Sequence, residues 1–375
     1  MHLFLAFVWI IALVVHLCWI YLVFGAVLSK KKAIHVSDKK NTALPLSVII
    51  CARNEAHNLQ ENLPAILTQD YPNFEVIVVN DRSKDTSAQV LATLEKKFPH
   101  LKIIQLSPSE KTTHLGKKNA LWEGLQAANK DFVVVTDADC KPASGIWLQL
   151  LAKKLSPQHI VLGFSPYYKE PSIVNAWVQY ETALTALQYG GFAQRNCAYM
   201  GVGRNMAYDK NIALQSSVFS DYAQKLSGDD DLLVAHFANK KAVNLSTEAA
   251  AFTFSQAPDS FYAWLIQKKR HLSSAQNYPF RISALLSIFA LVHVASYALL
   301  LWLLLCYPAY CAAILLIFLF HETAQAILFW RLHQQFPSLV PRVQNMLVFD
   351  FLHIFYYITM FFLSFGKPKK WKANE

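Results

Sequence analysis

Paired cysteines are missing from this chain. Its 375 residues include six cysteines, and they do not form the two closely spaced pairs of a zinc site. Cys18, Cys306 and Cys311 lie in or beside apolar runs, while Cys51, Cys140 and Cys197 are scattered through the more polar middle, so no disulfide framework is indicated. Charge is scarce as well: Asp, Glu, Lys and Arg make up 16% of the chain against 54% apolar residues. That balance suits a membrane protein with a substantial soluble part. Acidic residues are fewer than basic ones, leaving a formal net charge of +10. The lysines cluster beside apolar segments rather than along one soluble face, which argues against nucleic acid as a partner and for the cytoplasmic side of a membrane. Repeats and long low-complexity segments are absent. Glycine is also absent from Cys51 to Asn58, just after the first predicted strand. A nucleotidyltransferase would usually carry a Gly-rich, basic loop there.

Long apolar runs are present. Leu3 to Leu28 is almost wholly apolar, interrupted by His16, and Lys30-Lys31-Lys32 follows it. The run is long enough to cross a bilayer, and basic residues after the span place the next segment in the cytoplasm. A cleaved signal peptide would instead have a basic start and a shorter apolar core. Ala284 to Leu305 and Ala312 to Trp330, separated by a turn around Pro308, predict a transmembrane hairpin. Met346 to Phe365 is apolar but holds Asp350 and His353, and a basic tail from Lys367 to Lys372 follows. A spanning helix there would put that tail outside, whereas an interfacial or re-entrant helix keeps it in the cytoplasm. The expected division is an N-terminal membrane helix (1–29), a basic linker (30–45), a cytoplasmic domain (46–280), a hairpin (281–331) and a C-terminal helix with its tail (332–375).

Between the spans, apolar β-branched runs alternate with helical patterns. Leu46 to Ile50, Phe74 to Val79, Lys102 to Leu106 and Phe132 to Thr136 read as strands, with helices over 56–69, 85–97 and from Gly116 onward. Such alternation predicts an α/β domain with a mainly parallel sheet covered on both faces. Ligands gather at the carboxyl ends of such strands. Three of these ends carry acid: Glu55, Asp81, and the pair Asp137 and Asp139. Two carboxylates two apart, just past a buried strand, can converge on Mg²⁺ or Mn²⁺, ions that commonly bridge protein carboxylates to substrate phosphates. A solvated Asp-x-Asp turn is the plainer reading, and the clustering of acidic strand ends favours the metal. Trp177, Tyr180, Leu184, Leu187 and Tyr189 follow a helical rhythm that fits core packing or a membrane-surface helix. Asp229, Asp230 and Asp231 are adjacent and repel one another, so they need a cation, a basic neighbour or water. They fit either a solvated helix N-terminus or a source of a catalytic base. Gln267-Lys268-Lys269-Arg270-His271 is a cationic cluster just before the hairpin.

Taken in order, Val48 to Glu55, Val76 to Ser83, Gly116 to Leu121, Val133 to Asp139, Gly201 to Tyr208 and Gly228 to Leu232 resemble the motifs of the membrane-bound family 2 glycosyltransferases. The resemblance covers about Leu46 to His271 and extends to the membrane arrangement. It implies a GT-A nucleotide-diphospho-sugar transferase domain. It also implies that Glu55 and Asp81 contact the uracil and ribose of a UDP-sugar, that Lys117 lies near the nucleotide, and that Asp139, helped by Asp137, holds the metal ion. Counting back from Leu232, Asp229 best matches the family's catalytic aspartate, with Asp230 the rival; Gly228 stands where the family often has an acidic residue. Gln267 and Arg270 match the Gln-x-x-Arg-Trp motif of cellulose and hyaluronan synthases and ceramide glucosyltransferases, but His271 replaces the Trp that helps form the acceptor site of processive members. The implied function is an inverting transfer from a UDP-sugar to a lipid or lipid-linked acceptor at the cytoplasmic face of a bacterial inner membrane, as part of cell-envelope chemistry. The alternatives are a processive polysaccharide synthase and a non-catalytic membrane-anchored scaffold that binds nucleotide sugars.

Overall fold

A computed structural model describes residues 2–29, 44–107, 116–222, 228, 230–237 and 243–364. Every residue of the first strand, β1 (Leu46–Ala52), is buried, as a continuous apolar run in the middle of a parallel sheet requires. The other strands are β2 (Phe74–Asp81), β3 (Leu101–Leu106), β4 (Phe132–Asp137), β5 (Lys141–Pro142), β6 (Ile160–Leu162), β7 (Met206–Asp209), β8 (Val243–Leu245) and β9 (Thr253–Phe254). Seven of them form one sheet in the order β3-β2-β1-β4-β7-β6-β8, and β5 pairs with β9. The first four are parallel, whereas β7 runs antiparallel to both β4 and β6. The chain leaves β1 in one direction to β2 and β3, then returns to β4 on the other side. That reversal opens a crevice at the strand ends, where ligands of open α/β sheets bind. The register sets the acids side by side: Cys51 lies opposite Asp137, and Ala52 opposite Asn80.

The helices are α1 (His2–Trp19), α2 (Ala56–Leu67), α3 (Ser87–Glu95), α4 (Lys117–Ala127), α5 (Trp147–Ala152), α6 (Ile173–Gln194), α7 (Lys210–Leu214), α8 (Val218–Asp221), α9 (Asp231–Phe237), α10 (Phe261–Ala275), α11 (Phe280–Cys306), α12 (Cys311–Gln335) and α13 (Val343–Ser364). Strand side chains alternate between the two faces. Val48, Ile50, Val76 and Val134 pack under Leu59 and Leu63 of α2, Leu91 of α3 and Trp147 of α5. Ile49, Ile77, Val133 and Val135 belong to the opposite core, with Leu121 and Leu125 of α4 and the buried side of α6.

Four helical stretches are long and apolar enough to cross a membrane: Leu3–Leu28, Phe280–Cys306, Pro308–Gln335 and Val343–Ser364. The first is not one regular helix. After α1 it continues as a π-helical turn, Ile20–Phe24, and a 3₁₀ turn, Gly25–Leu28. This irregular end seats on α6 at Gly191, where an added Cβ would lie 1.9 Å from the Val23 carbonyl oxygen. Backbone cannot move aside as a side chain can. Gly191→Ala is therefore expected to destabilise the protein by about 3 kcal/mol or more, read as a lower Tm of the detergent-solubilised full chain. An unchanged Tm would show that this contact does not hold the domain on the N-terminal apolar helix. The Lys30 to Lys32 cluster and the Lys367 to Lys372 tail lie outside the described residues.

Candidate active site

The pair at the end of β4 turns rather than continuing as a strand. The Cys140 N–H donates to the Asp137 carbonyl (3.1 Å), which closes a tight turn around Asp139. Gly116 (φ +64°) leads into α4, and Lys117 at its first position forms an ion pair with Asp137. Burial pushes the Asp137 carboxyl up, but the Lys117 ammonium, with the Arg204 and Arg270 charges, outweighs it and holds the group below its ordinary value. Asp139 moves the other way. Burial first, then the Asp137 charge and that of Glu55, raise it to about 6, against an opposing pull from Arg204. One carboxyl is thus held ionised while its neighbour is raised to about 6. Among the described residues no group of three or more His, Cys, Asp or Glu side chains converges as a complete metal cage. Two carboxylates are nevertheless the donor set expected for Mg²⁺ or Mn²⁺ that takes its remaining oxygens from water and substrate phosphate, and their mutual repulsion is what such a cation would relieve.

The ends of β1 and β2 are clasped together. Asn54 (φ +53°) and Arg82 (φ +52°) both adopt the left-handed conformation, which costs a residue with a side chain about 1 kcal/mol or more. Cross-bonds hold them there: Asn54 N–H donates to Ser83 Oγ (2.9 Å), Lys84 N–H to Asn54 Oδ1 (2.7 Å), and Ala56 N–H to Asp85 Oδ2 (3.0 Å). Glu55 stands at the N-cap position of α2 without a side-chain capping bond, and its carboxylate accepts from the Asn58 amide. Asp81 is fully buried. Its Oδ1 accepts from Arg82 Nε (2.6 Å), Arg53 lies 3.8 Å from Oδ2, and Oδ2 has no hydrogen-bond partner among the described residues. A buried acceptor oxygen left open at a strand end suits a ligand N–H or O–H.

A cationic wall faces the carboxylates. The Arg204 guanidinium carbon stands 4.5 Å from the Tyr167 ring centroid, and its Nη1 donates to Ser255 Oγ (2.9 Å). The Arg204 carbonyl accepts from Thr136 Oγ1 (2.8 Å) and Thr253 Oγ1 (3.0 Å), which fixes the backbone against β4 and β9. Gln267 Nε2 donates to the Tyr167 hydroxyl (3.2 Å). Arg270 follows three positions later on α10, on the same helix face. The chain therefore brings Glu55, Asp81, Lys117, Asp137 and Asp139 to one sheet edge, with Gln267 and Arg270 reaching them through Tyr167 and Asp137. Arg204 and Tyr167 are site residues that sequence reasoning missed. The available signal was an arginine beside Gly203, directly before β7. His271, where the resemblance puts Trp, is exposed.

The aspartate triplet is only partly described. Gly228 has φ +99°, and an added Cβ would lie 2.9 Å from Leu232 Cδ1, so the absence of an acidic side chain there has a backbone cause. Asp230 Oδ2 accepts the Gly203 N–H (2.6 Å), and its Oδ1 accepts the Asp231 N–H (2.9 Å). Asp231 accepts from the Tyr278 hydroxyl (2.9 Å). Asp229 lies outside the described residues.

Comparison with known proteins decides the family. The family description Glycosyl transferase family 2 matches residues 47–216, and Glycosyl transferase family group 2 matches residues 132–365. The chain is a family 2 glycosyltransferase. Among its relatives, a probable glycosyltransferase, YdaM, of Bacillus subtilis is 27% identical over 241 residues, 60% of this chain and 54% of that protein. The poly-β-1,6-N-acetyl-D-glucosamine synthase of Staphylococcus epidermidis is 32% identical over 94 residues, 25% of this chain and 21% of the synthase. The β-monoglucosyldiacylglycerol synthase of Trichormus variabilis is 28% identical over 120 residues, 31% of this chain and 25% of that enzyme. This glycosyltransferase thus spans about half or less of the length of these relatives. Its fold is similar to that of the mannosyltransferase PcManGT from Pyrobaculum calidifontis, solved with GDP-Man and Mn²⁺, at a TM-score of 0.54 and 20% identity over 88% of this chain and 96% of the other. The GT-A architecture is thereby shared.

Proposed function

We propose that this glycosyltransferase moves a sugar from a UDP-sugar to the hydroxyl of a lipid or lipid-linked acceptor, with inversion, at the cytoplasmic face of a membrane. The observation that carries the reading is the meeting of Asp137 and Asp139 with Lys117, Arg204 and Arg270 at one sheet edge. Opposed carboxylates and cations in one crevice fit a metal-bridged diphosphate. Asp139, with Asp137, would hold Mg²⁺ or Mn²⁺, which when bound supplies Lewis-acid neutralisation of diphosphate charge. The open Asp81 Oδ2 and the Glu55 carboxylate face the nucleoside end. Lys117 and Arg270, with Arg204 held by Ser255 and Tyr167, stabilise the charge that the leaving diphosphate gathers. Asp229 takes the proton of the acceptor hydroxyl. The oxygen attacks the anomeric carbon as the bond to the diphosphate oxygen breaks on the opposite face, leaving UDP and the glycoside. That the other two aspartates of the triplet are engaged, Asp230 by backbone N–H groups and Asp231 by Tyr278, supports this choice.

The lipid acceptor is supported by the four apolar helices and by the diacylglycerol in the name of one relative. The absence of Trp at His271 weighs against a processive synthase. Helix α13 packs along the domain: Trp177 contacts Phe349, Trp264 contacts Tyr356, and Gln276 donates to the Ser364 carbonyl (3.4 Å). Its Asp350 and His353 also meet His293 of α11, so α13 joins the apolar helices as well as the domain. Calorimetric titration of the full chain tests the donor site. UDP is expected to bind in the presence of Mn²⁺ and more weakly without it; absence of binding by UDP and GDP alike would point to the scaffold reading.

A further inference from the structure

The four membrane stretches hold a cluster of polar side chains that the transfer reaction does not use. His16 of α1, His293 of α11 and His321 of α12 are each exposed by 2% or less. His16 and His293 line one cavity with Tyr180 and Leu184 of α6, where the apolar helices meet the domain. The three histidines are joined in a line. His293 Nε2 faces the Asp350 carbonyl oxygen (3.1 Å), His293 Nδ1 faces His16 Nε2 (3.1 Å), His16 Nδ1 faces His321 Nε2 (3.0 Å), and His321 Nδ1 faces Glu322 Oε1 (3.1 Å).

Counting protons along this line gives a definite result. A neutral imidazole has one N–H and one lone pair. A backbone carbonyl only accepts, so His293 must carry its proton on Nε2 and accept on Nδ1. His16 then donates from Nε2 and accepts on Nδ1, and His321 donates from Nε2. That leaves the His321 Nδ1 lone pair facing Glu322. An ionised carboxylate is also only an acceptor. Reversing all three tautomers merely moves the clash to the Asp350 carbonyl. The four contacts need four protons, and three neutral imidazoles bring three.

We infer that the membrane bundle contains a proton-binding site, in which one additional proton is held on the line from Glu322 through His321 and His16 to His293. The proton resides either on the Glu322 carboxyl, which then donates to His321 Nδ1, or on an imidazole paired with the Glu322 carboxylate. Both arrangements are electrically neutral, as a site among apolar helices requires. Loss of the proton would leave a carboxylate, with only 17% of its side chain exposed, against a nitrogen lone pair. The other polar groups around the line have their own places. The Asp350 side-chain oxygens accept from Tyr297 (2.8 Å) and Tyr180 (3.4 Å), and Tyr297 is the α11 group that also faces Glu322. The rings of His353 and Tyr357 on α13 pack against His293. The bound proton therefore ties α1 to α11 and α12 beside the α6–α13 contact.

The test uses the full chain in lipid nanodiscs, wild type and Glu322→Gln. The glutamine amide N–H can donate to His321 Nδ1, so the variant keeps the line without the proton. Nitrogen NMR of ¹⁵N-histidine protein reads the ring tautomers directly. The wild type is expected to show the Nε2–H form at His293. On alkaline titration it should release one proton per chain more than the variant, with a fall in Tm that the variant lacks. Proton release and Tm profiles that coincide in the two proteins would overturn the inference. So would a neutral His293 protonated on Nδ1, a result that wild-type protein alone can give.

Discussion

Asp139→Asn is expected to lower sugar transfer about a thousandfold while leaving the domain folded. The remaining carboxylate, Asp137, is already paired with Lys117, so little charge is left to hold a divalent ion. The fold should tolerate the change because ionised Asp139 is a destabilising group. Its carboxyl is raised to about 6, so the folded protein favours the protonated form. The stability this confers is complete at low pH and is lost as pH rises from the ordinary carboxylate value through about 6. At neutral pH the asparagine variant should therefore melt at the same temperature as the wild type or higher. Divalent binding has the opposite dependence, since the ion competes with the proton. Mn²⁺ is expected to raise the wild-type Tm above about pH 6, to lose that effect below it, and to have none on the variant. A variant that unfolds, or that keeps the Mn²⁺ response, would remove Asp139 from the metal site.

Asp229→Asn is expected to reduce transfer by a factor of about 10² to 10⁴, the usual range for loss of a general base. UDP binding should be near normal, because the proposed nucleotide contacts, Glu55, Asp81 and Lys117, lie on other parts of the chain, beside α2, at the end of β2 and at the start of α4. The split between rate and binding is the informative readout. Full activity in this variant would move the base to Asp230, whose carboxylate would then have to release the Gly203 or Asp231 N–H to accept a hydroxyl proton.

The fold was legible where burial dominates. Val133, Val134 and Val135 cannot be placed anywhere except a covered strand, and β1, β2 and β4 appear at the expected places with their acids at one edge. Local pattern could not show what long-range pairing decides. Arg204 reaches the carboxylates only because β7 inserts antiparallel beside β4, and Tyr167 only because the chain after β6 bridges to Ser255. Gly191 reads as an ordinary helix glycine until Val23 is seen against it. His16 and Asp350 read as polar interruptions of apolar runs, but their separation in sequence conceals the hydrogen-bonded line that joins them through His293. The Gly228 position had a conformational cause that no composition argument reveals.

The most direct test of the central claim is release of free nucleotide diphosphate. Purified full-length protein would be incubated with Mn²⁺, a panel of UDP- and GDP-sugars, and membrane lipid extract. The account predicts release from one UDP-sugar that depends on lipid, yields a glycolipid and disappears in Asp139→Asn. Release that is independent of lipid and builds a long polymer, or no release from any donor by folded protein, would contradict it.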